Sequence, residues 1–288
     1  MSTEAPSPPE HVDHPQIGTV DVMEIYLGAR GSGKSVAMCA RARELCRELG
    51  GAYVIGHSIG QRLPSSLPAA VAGGGAPALP ITYHRSVGEL ERGLKSKPNR
   101  WHIIAPPLAD EDAHPDRPRS SADDLIRYSV RLSKAIRDQA WKHEHPIRGL
   151  AGVPAKATYT GLKAPPVIVL IDEGVAVAGA AGGDRGKGEK TDWFREILIS
   201  LRHLHIIVLY CAQGATMRSW HMLEQATAIH CYQTTHEIAL NAIRQAGADA
   251  DELEQIRRLP LYSYVTVVPI AKAGRGGGAS VTTDTGKA

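Results

Sequence analysis

Residues 28–35 read Gly28-Ala29-Arg30-Gly31-Ser32-Gly33-Lys34-Ser35. The spacing GxxxxGK[ST] has a mechanism only where a strand precedes it and a helix follows. Both flanks fit. Met23-Glu24-Ile25-Tyr26-Leu27 reads as a buried strand, and 34–49 reads as a helix. Glycines let the backbone curl so that successive N–H groups point inward at an anion. The helix N-terminus adds about half a positive charge at the same spot. The loop is therefore expected to cradle the phosphates of a nucleotide through residues 28–35. Lys34 would reach the β- and γ-phosphates, and Ser35 would ligate Mg²⁺. Arg30 stays open between solvent, a subunit contact and the nucleotide.

A second motif supports the first. Val167-Ile168-Val169-Leu170-Ile171 is an apolar run that ends in Asp172-Glu173. A buried strand would deliver Asp172 to the carboxyl edge of a sheet, where it can hold Mg²⁺. Glu173, one residue further, is placed to polarise an attacking water. An Asp alone suits a kinase or GTPase; the added Glu suits ATP hydrolysis. A third strand-like run, 205–212, ends at Gln213, whose amide could orient water beside the γ-phosphate or be an ordinary strand-end amide. Arg202 lies just before that run. It could reach a nucleotide held by a neighbouring subunit, or it could pair with Glu196 at the surface. Arg195, seven residues earlier, is the reserve candidate.

Between these motifs strands and helices alternate, the pattern of a parallel α/β sheet. Strands are expected at 22–27, 52–56, 81–84, 101–105, 167–171, 205–212, 228–233 and 262–268. Helices are expected at 34–49, 86–95, 122–143, 192–203, 217–224, 235–246 and 249–258. The runs VIVLI and HIIVLYCA are apolar on both faces, as central parallel strands must be. Residues 57–80 read as loop, and 106–166 as an insert with Pro-rich ends around one helix. The chain has 288 residues, of which 43% are hydrophobic, enough for a large core. Its only Phe is Phe194, so that core must be built mainly of Val, Ile, Leu and Ala.

Domain organisation follows. Residues 1–17 are expected to be a disordered tail, 18–271 the phosphate-loop domain, and 272–288 a Gly-rich flexible tail. The N-terminus is Pro-rich and acidic, unlike a signal peptide. No apolar run approaches 18 residues, so no membrane span is expected. Cys39, Cys46, Cys211 and Cys231 form no CxxC pair and fall in regular segments. They are expected to be buried free thiols, which suits a reducing cytoplasm. His143 and His145 are expected to be solvated. A formal net charge of +3 neither requires nor excludes a nucleic-acid partner.

The order of these features resembles the FtsK–HerA superfamily of DNA-pumping ATPases. The features are the phosphate loop, the strand ending Asp172-Glu173, the helix ending Leu201-Arg202-His203 and the strand ending Gln213. The Arg-His before an Ile-rich strand ending in Gln is similar to viral genome-packaging ATPases, and 228–244 is similar to the last strand and helix of such cores. The resemblance implies a RecA-like (ASCE) P-loop core in a homo-oligomeric ring, a hexamer, around double-stranded DNA. It implies ATP and Mg²⁺ as cofactors, Glu173, Arg202 and Gln213 as catalytic, and Ser35 and Asp172 as metal ligands. A viral motor would also meet capsid vertex or portal proteins, in host cytoplasm or at a virion vertex. A HerA-like or conjugation-type bacterial translocase, or a filamentous-phage-type assembly ATPase acting on protein, stands as the alternative. The insert at 106–166 is a departure from the family pattern.

Two basic segments are candidates for DNA. The Gly-rich loop 179–190 follows the two acids and carries Arg185, Lys187 and Lys190. Residues 116–148 hold eight basic and five acidic residues, a mixed face that more often is simply solvated. The loop is the favoured candidate.

Overall fold

The computed structural model describes residues 22–58, 63–64, 79–105, 122–143, 165–172, 201, 204–212 and 225–269, with backbone alone for 123 and 137–143. Eight strands form one sheet: β1 (Met23–Leu27), β2 (Tyr53–Ser58), β3 (Ile81–His84), β4 (Trp101–Ile104), β5 (Val167–Asp172), β6 (Ile206–Ala212), β7 (Ala228–Tyr232) and β8 (Tyr264–Val267). Their order across the sheet is β3-β4-β2-β5-β6-β1-β7-β8. Every pairing is parallel except β7 with β8. The described helices are α1 (Lys34–Glu48), α2 (Val87–Ser96), α3 (Ala122–His143), α4 (Glu237–Ala246) and α5 (Ala250–Arg257).

The doubly apolar runs explain the middle of the sheet. All six residues of β5 and all seven of β6 are buried. Val167, Val169 and Ile171 pack on one face with α2, α3, α4 and α5. Ile168 and Leu170 pack on the other with Met38, Cys39, Ala42 and Leu45 of α1. A strand covered on both faces has no position for a polar side chain until it emerges at an edge. At that edge β5 ends in Asp172. All four cysteines are free and buried, as the sequence implied.

The elements match the expected alternation closely, and the deviations have causes. β2 continues through His57 and Ser58, residues read above as the start of a loop. Both are buried because they pair with Ile171 and Asp172 of β5. β8 begins at Tyr264, not at 262. Ser263 donates its N–H to the Pro260 carbonyl, and Tyr262 has a left-handed backbone, φ 66°, which breaks extended geometry. α3 has the expected bounds. The tails, most of loop 57–80, the remainder of the insert and the helices expected at 192–203 and 217–224 lie outside the described residues apart from Leu201.

β6 lies between β1 and β5, separating the strand that leads into the phosphate loop from the strand that ends in Asp172. This is the RecA-like (ASCE) arrangement of a P-loop NTPase core. Among the described residues, no helix is long and apolar enough to cross a membrane.

Candidate functional site

The loop leaves β1 at Gly28, which donates its N–H to the Ala212 carbonyl of β6 at 3.4 Å. Ala29 donates to the Gln233 carbonyl after β7 at 3.2 Å. The two neighbours of β1 thus anchor the start of the loop. Gly28 has no alternative here. A Cβ at this position would lie 2.6 Å from the Tyr232 Cβ, and its φ is 156°. At the far end Gly33, with φ 95°, turns the chain into α1, a conformation other residues adopt only under strain. No side chain caps α1 and no acid stands in its first turn. Its leading N–H groups and dipole are left to attract an anion.

Lys34 is folded back into the loop. Its ammonium donates to the carbonyls of Gly28 (2.9 Å) and Ala29 (2.5 Å), with the Ser32 hydroxyl at 3.4 Å. The charge is thereby held against residues 28–32 of the loop, although the side chain is buried. Arg30 is exposed at the loop tip beside Gly31.

The loop meets the second motif in space. Ser35 Oγ donates to Asp172 Oδ1 at 2.7 Å across 137 residues of sequence. Ser58 Oγ donates to the other carboxylate oxygen, Oδ2, at 3.3 Å. Asp172 is 1% exposed, and the two hydroxyls fix its rotamer. Beneath it lies Cys211, whose thiol is pushed well above its usual range by burial and then by the Asp172 charge. The Ser35 hydroxyl and the Asp172 carboxylate are hard oxygen donors, the kind Mg²⁺ takes from proteins in sites it shares with phosphate. The residues present therefore fit MgATP.

Behind the loop, Glu24 of β1 is an internal charge with a full set of partners. It accepts from Tyr26 (2.8 Å), Arg41 of α1 (2.9 Å) and His230 of β7 (3.2 Å). Burial alone would raise its carboxyl. The His230 hydrogen bond and the Arg41 charge outweigh burial and hold the carboxyl down at about 2. This network ties α1 to β1 and β7.

The remaining candidates lie outside the described residues: Glu173, Arg202, Gln213, and Arg185, Lys187 and Lys190 of the Gly-rich loop. The described strands β5 and β6 end one residue before two of them. Asp172 precedes Glu173 and Ala212 precedes Gln213. The register pairs Ile171 with Tyr210 and Leu27 with Ala212, so Asp172 and Ala212, the last residues of β5 and β6, are both at the edge that carries the phosphate loop. Ser58 was missed in the sequence. The signal for it was slight: YVIGHS continues a strand alternation past Gly56.

No family model matches the sequence, and no curated protein does. Solved structures do. The genome packaging NTPase B204 from Sulfolobus turreted icosahedral virus 2, in complex with sulfate, aligns over 91% of this chain and 95% of that one, at 13% identity and a TM-score of 0.51. Its complex with AMPPCP aligns over 86% and 93%, at 14% identity and a TM-score of 0.50. The pCW3 conjugation coupling protein TcpA, with ATPgS, aligns over 91% of this chain and 60% of that one, at 16% identity and a TM-score of 0.46. The likeness to B204 is one of fold, and the chain has the P-loop NTPase core to which the FtsK–HerA resemblance pointed.

Proposed function

We propose that this chain is an ATPase motor that moves double-stranded DNA, as a ring of identical subunits, in the packaging of a viral genome. The observation that carries the ATPase reading is the 2.7 Å hydrogen bond from Ser35 to Asp172, made beside a lysine held against its loop. A phosphate loop joined to a buried strand-end carboxylate across an intervening strand suits a metal-bound nucleoside triphosphate. B204, which shares the fold, is a genome packaging NTPase, and this supports packaging as the form of translocation.

Loop N–H groups and Lys34 grip the phosphates. Ser35 and Asp172 would hold Mg²⁺, which when bound would supply charge neutralisation at the phosphates. Glu173 accepts the proton of the attacking water as its oxygen bonds to the γ-phosphorus, and the bond to ADP breaks. Gln213 orients that water. Arg202 of a neighbouring subunit stabilises the charge on the transferred group.

The test is steady-state ATP hydrolysis, with and without duplex DNA, by the wild-type chain and by Lys34→Ala. Hydrolysis stimulated by DNA regardless of sequence, and abolished in Lys34→Ala, is the expected result. The logarithm of DNA affinity should fall with the logarithm of salt by about 0.9 per phosphate contact. Neutralising Arg185, Lys187 and Lys190 should flatten that slope. An active Lys34→Ala protein would refute the nucleotide site. Hydrolysis indifferent to DNA at every salt concentration would refute the motor and favour an assembly ATPase that acts on protein.

A further inference from the structure

Three large hydrophobic side chains are well exposed among the described residues: Leu261 (58%), Ile238 (54%) and Tyr262 (47%). A chain of bonds ties them to the phosphate loop. Ala29 donates to the Gln233 carbonyl at 3.2 Å. The Gln233 amide donates to the Arg257 carbonyl, at the end of α5, at 3.5 Å. Arg257 pairs with Glu237 in the first turn of α4 at 2.9 Å. Ile238 follows Glu237, and Leu261 and Tyr262 follow α5 by a short turn.

The sheet sets the same placement independently. β8 is antiparallel, with Tyr264 opposite Tyr232, so its beginning is at the edge where the parallel strands end. Tyr232 lies directly against Gly28. Tyr262, two residues before Tyr264, therefore stands at the phosphate-loop edge on the β7–β8 side. The metal oxygens of Ser35 and Asp172 are on the opposite, β5 side. A nucleotide seated with its β- and γ-phosphates toward Asp172 would have β7 and β8 on its other side, where its sugar and base would lie. A purine there needs a flat apolar surface.

We propose that Leu261 and Tyr262 form the platform on which the base of the bound nucleotide rests. This rests on the reading of residues 28–35 as a nucleotide site. The left-handed backbone of Tyr262, φ 66°, is costly for a bulky residue. Here it presents the ring to solvent at the phosphate-loop edge of β8. The side chains supply stacking and apolar contact, so the platform favours any purine over a bare polyphosphate.

The experiment compares binding of MgATP and of magnesium tripolyphosphate to the full chain by titration calorimetry. The variants are Tyr262→Gly, Tyr262→Phe and Leu261→Ser. Glycine removes the ring and accepts the left-handed backbone without strain, which keeps the fold out of question. Loss of the ring should weaken MgATP by about tenfold, the typical effect of one base–aromatic stack, and leave tripolyphosphate unchanged. Tyr262→Phe should bind MgATP like the wild type. If Tyr262→Gly and Leu261→Ser keep the wild-type ratio of the two affinities, the platform is wrong. A change in sedimentation with that ratio intact would assign the surface to subunit contact and also overturn it. If wild-type protein binds neither probe, the failure lies with the nucleotide site itself.

Discussion

Glu24 shows what a single buried charge does in this core. Its carboxyl is held at about 2, against an ordinary value of 4.5. A group whose acidity is strengthened by folding stabilises the native state above its unfolded value. That stabilisation is lost as pH falls through the folded value. The window for Glu24 is therefore from about pH 5 to pH 2, and the contribution at neutral pH is roughly 3 kcal/mol. Glu24→Gln should lower stability to urea at pH 7 and show a shallower loss between pH 5 and pH 2. Parallel acid limbs in the two proteins would show that the Arg41 and His230 pairings contribute nothing net.

At the scale of elements, β2 teaches most about what a sequence discloses. The alternation of apolar runs and helical stretches predicted the eight described strands and five described helices, because a parallel sheet buried on both faces needs continuous Val, Ile and Leu. The end of β2 was not legible. Gly56-His57-Ser58 carries turn-like residues, and only pairing with β5, and with β4 as far as His57, makes them strand. The consequence is chemical, since that extension sets Ser58 opposite Asp172. The hydrogen bond between phosphate loop and acid was only half legible. Each motif could be read alone, but their meeting depends on β6 lying between them, a matter of strand order that no local pattern encodes. Ser58→Ala leaves Asp172 Oδ2 without its hydroxyl donor. The Mg²⁺ concentration for half-maximal turnover should rise about tenfold, in the range seen when partners of metal ligands are removed. ATP binding without metal should be unchanged. An unaltered Mg²⁺ dependence would mean that Ser35 alone positions the acid.

At the scale of the whole molecule, one subunit is proposed to complete the site of the next. Arg202→Ala and Glu173→Gln are each expected to stop turnover, for different reasons. The first removes a finger that acts on a neighbour, worth about 10³–10⁵ in rate in phosphoryl transfer. The second removes the base within its own site and should leave ATP bound. Mixed rings should therefore recover activity at junctions where an intact finger faces an intact base. Zero recovery at every mixing ratio, in rings shown to exchange subunits, would place Arg202 outside the shared site.

The four buried thiols make the molecule its own reporter. Cys39 and Cys211 flank the seat of Asp172, and both are made harder to ionise by burial and by that carboxylate. Cys46 and Cys231 are also buried, and burial raises them too. A thiol of this kind reacts with an alkylating reagent only while the core around it is open. Labelling rates at four sites, read by mass spectrometry, are thus four separate clocks for local opening. MgATP should slow the clocks at Cys39 and Cys211 more than the one at Cys46, which lies near the far end of α1. Uniform slowing would mean that nucleotide tightens the whole core together. The uneven result would show how far into the sheet an event at the γ-phosphate is felt.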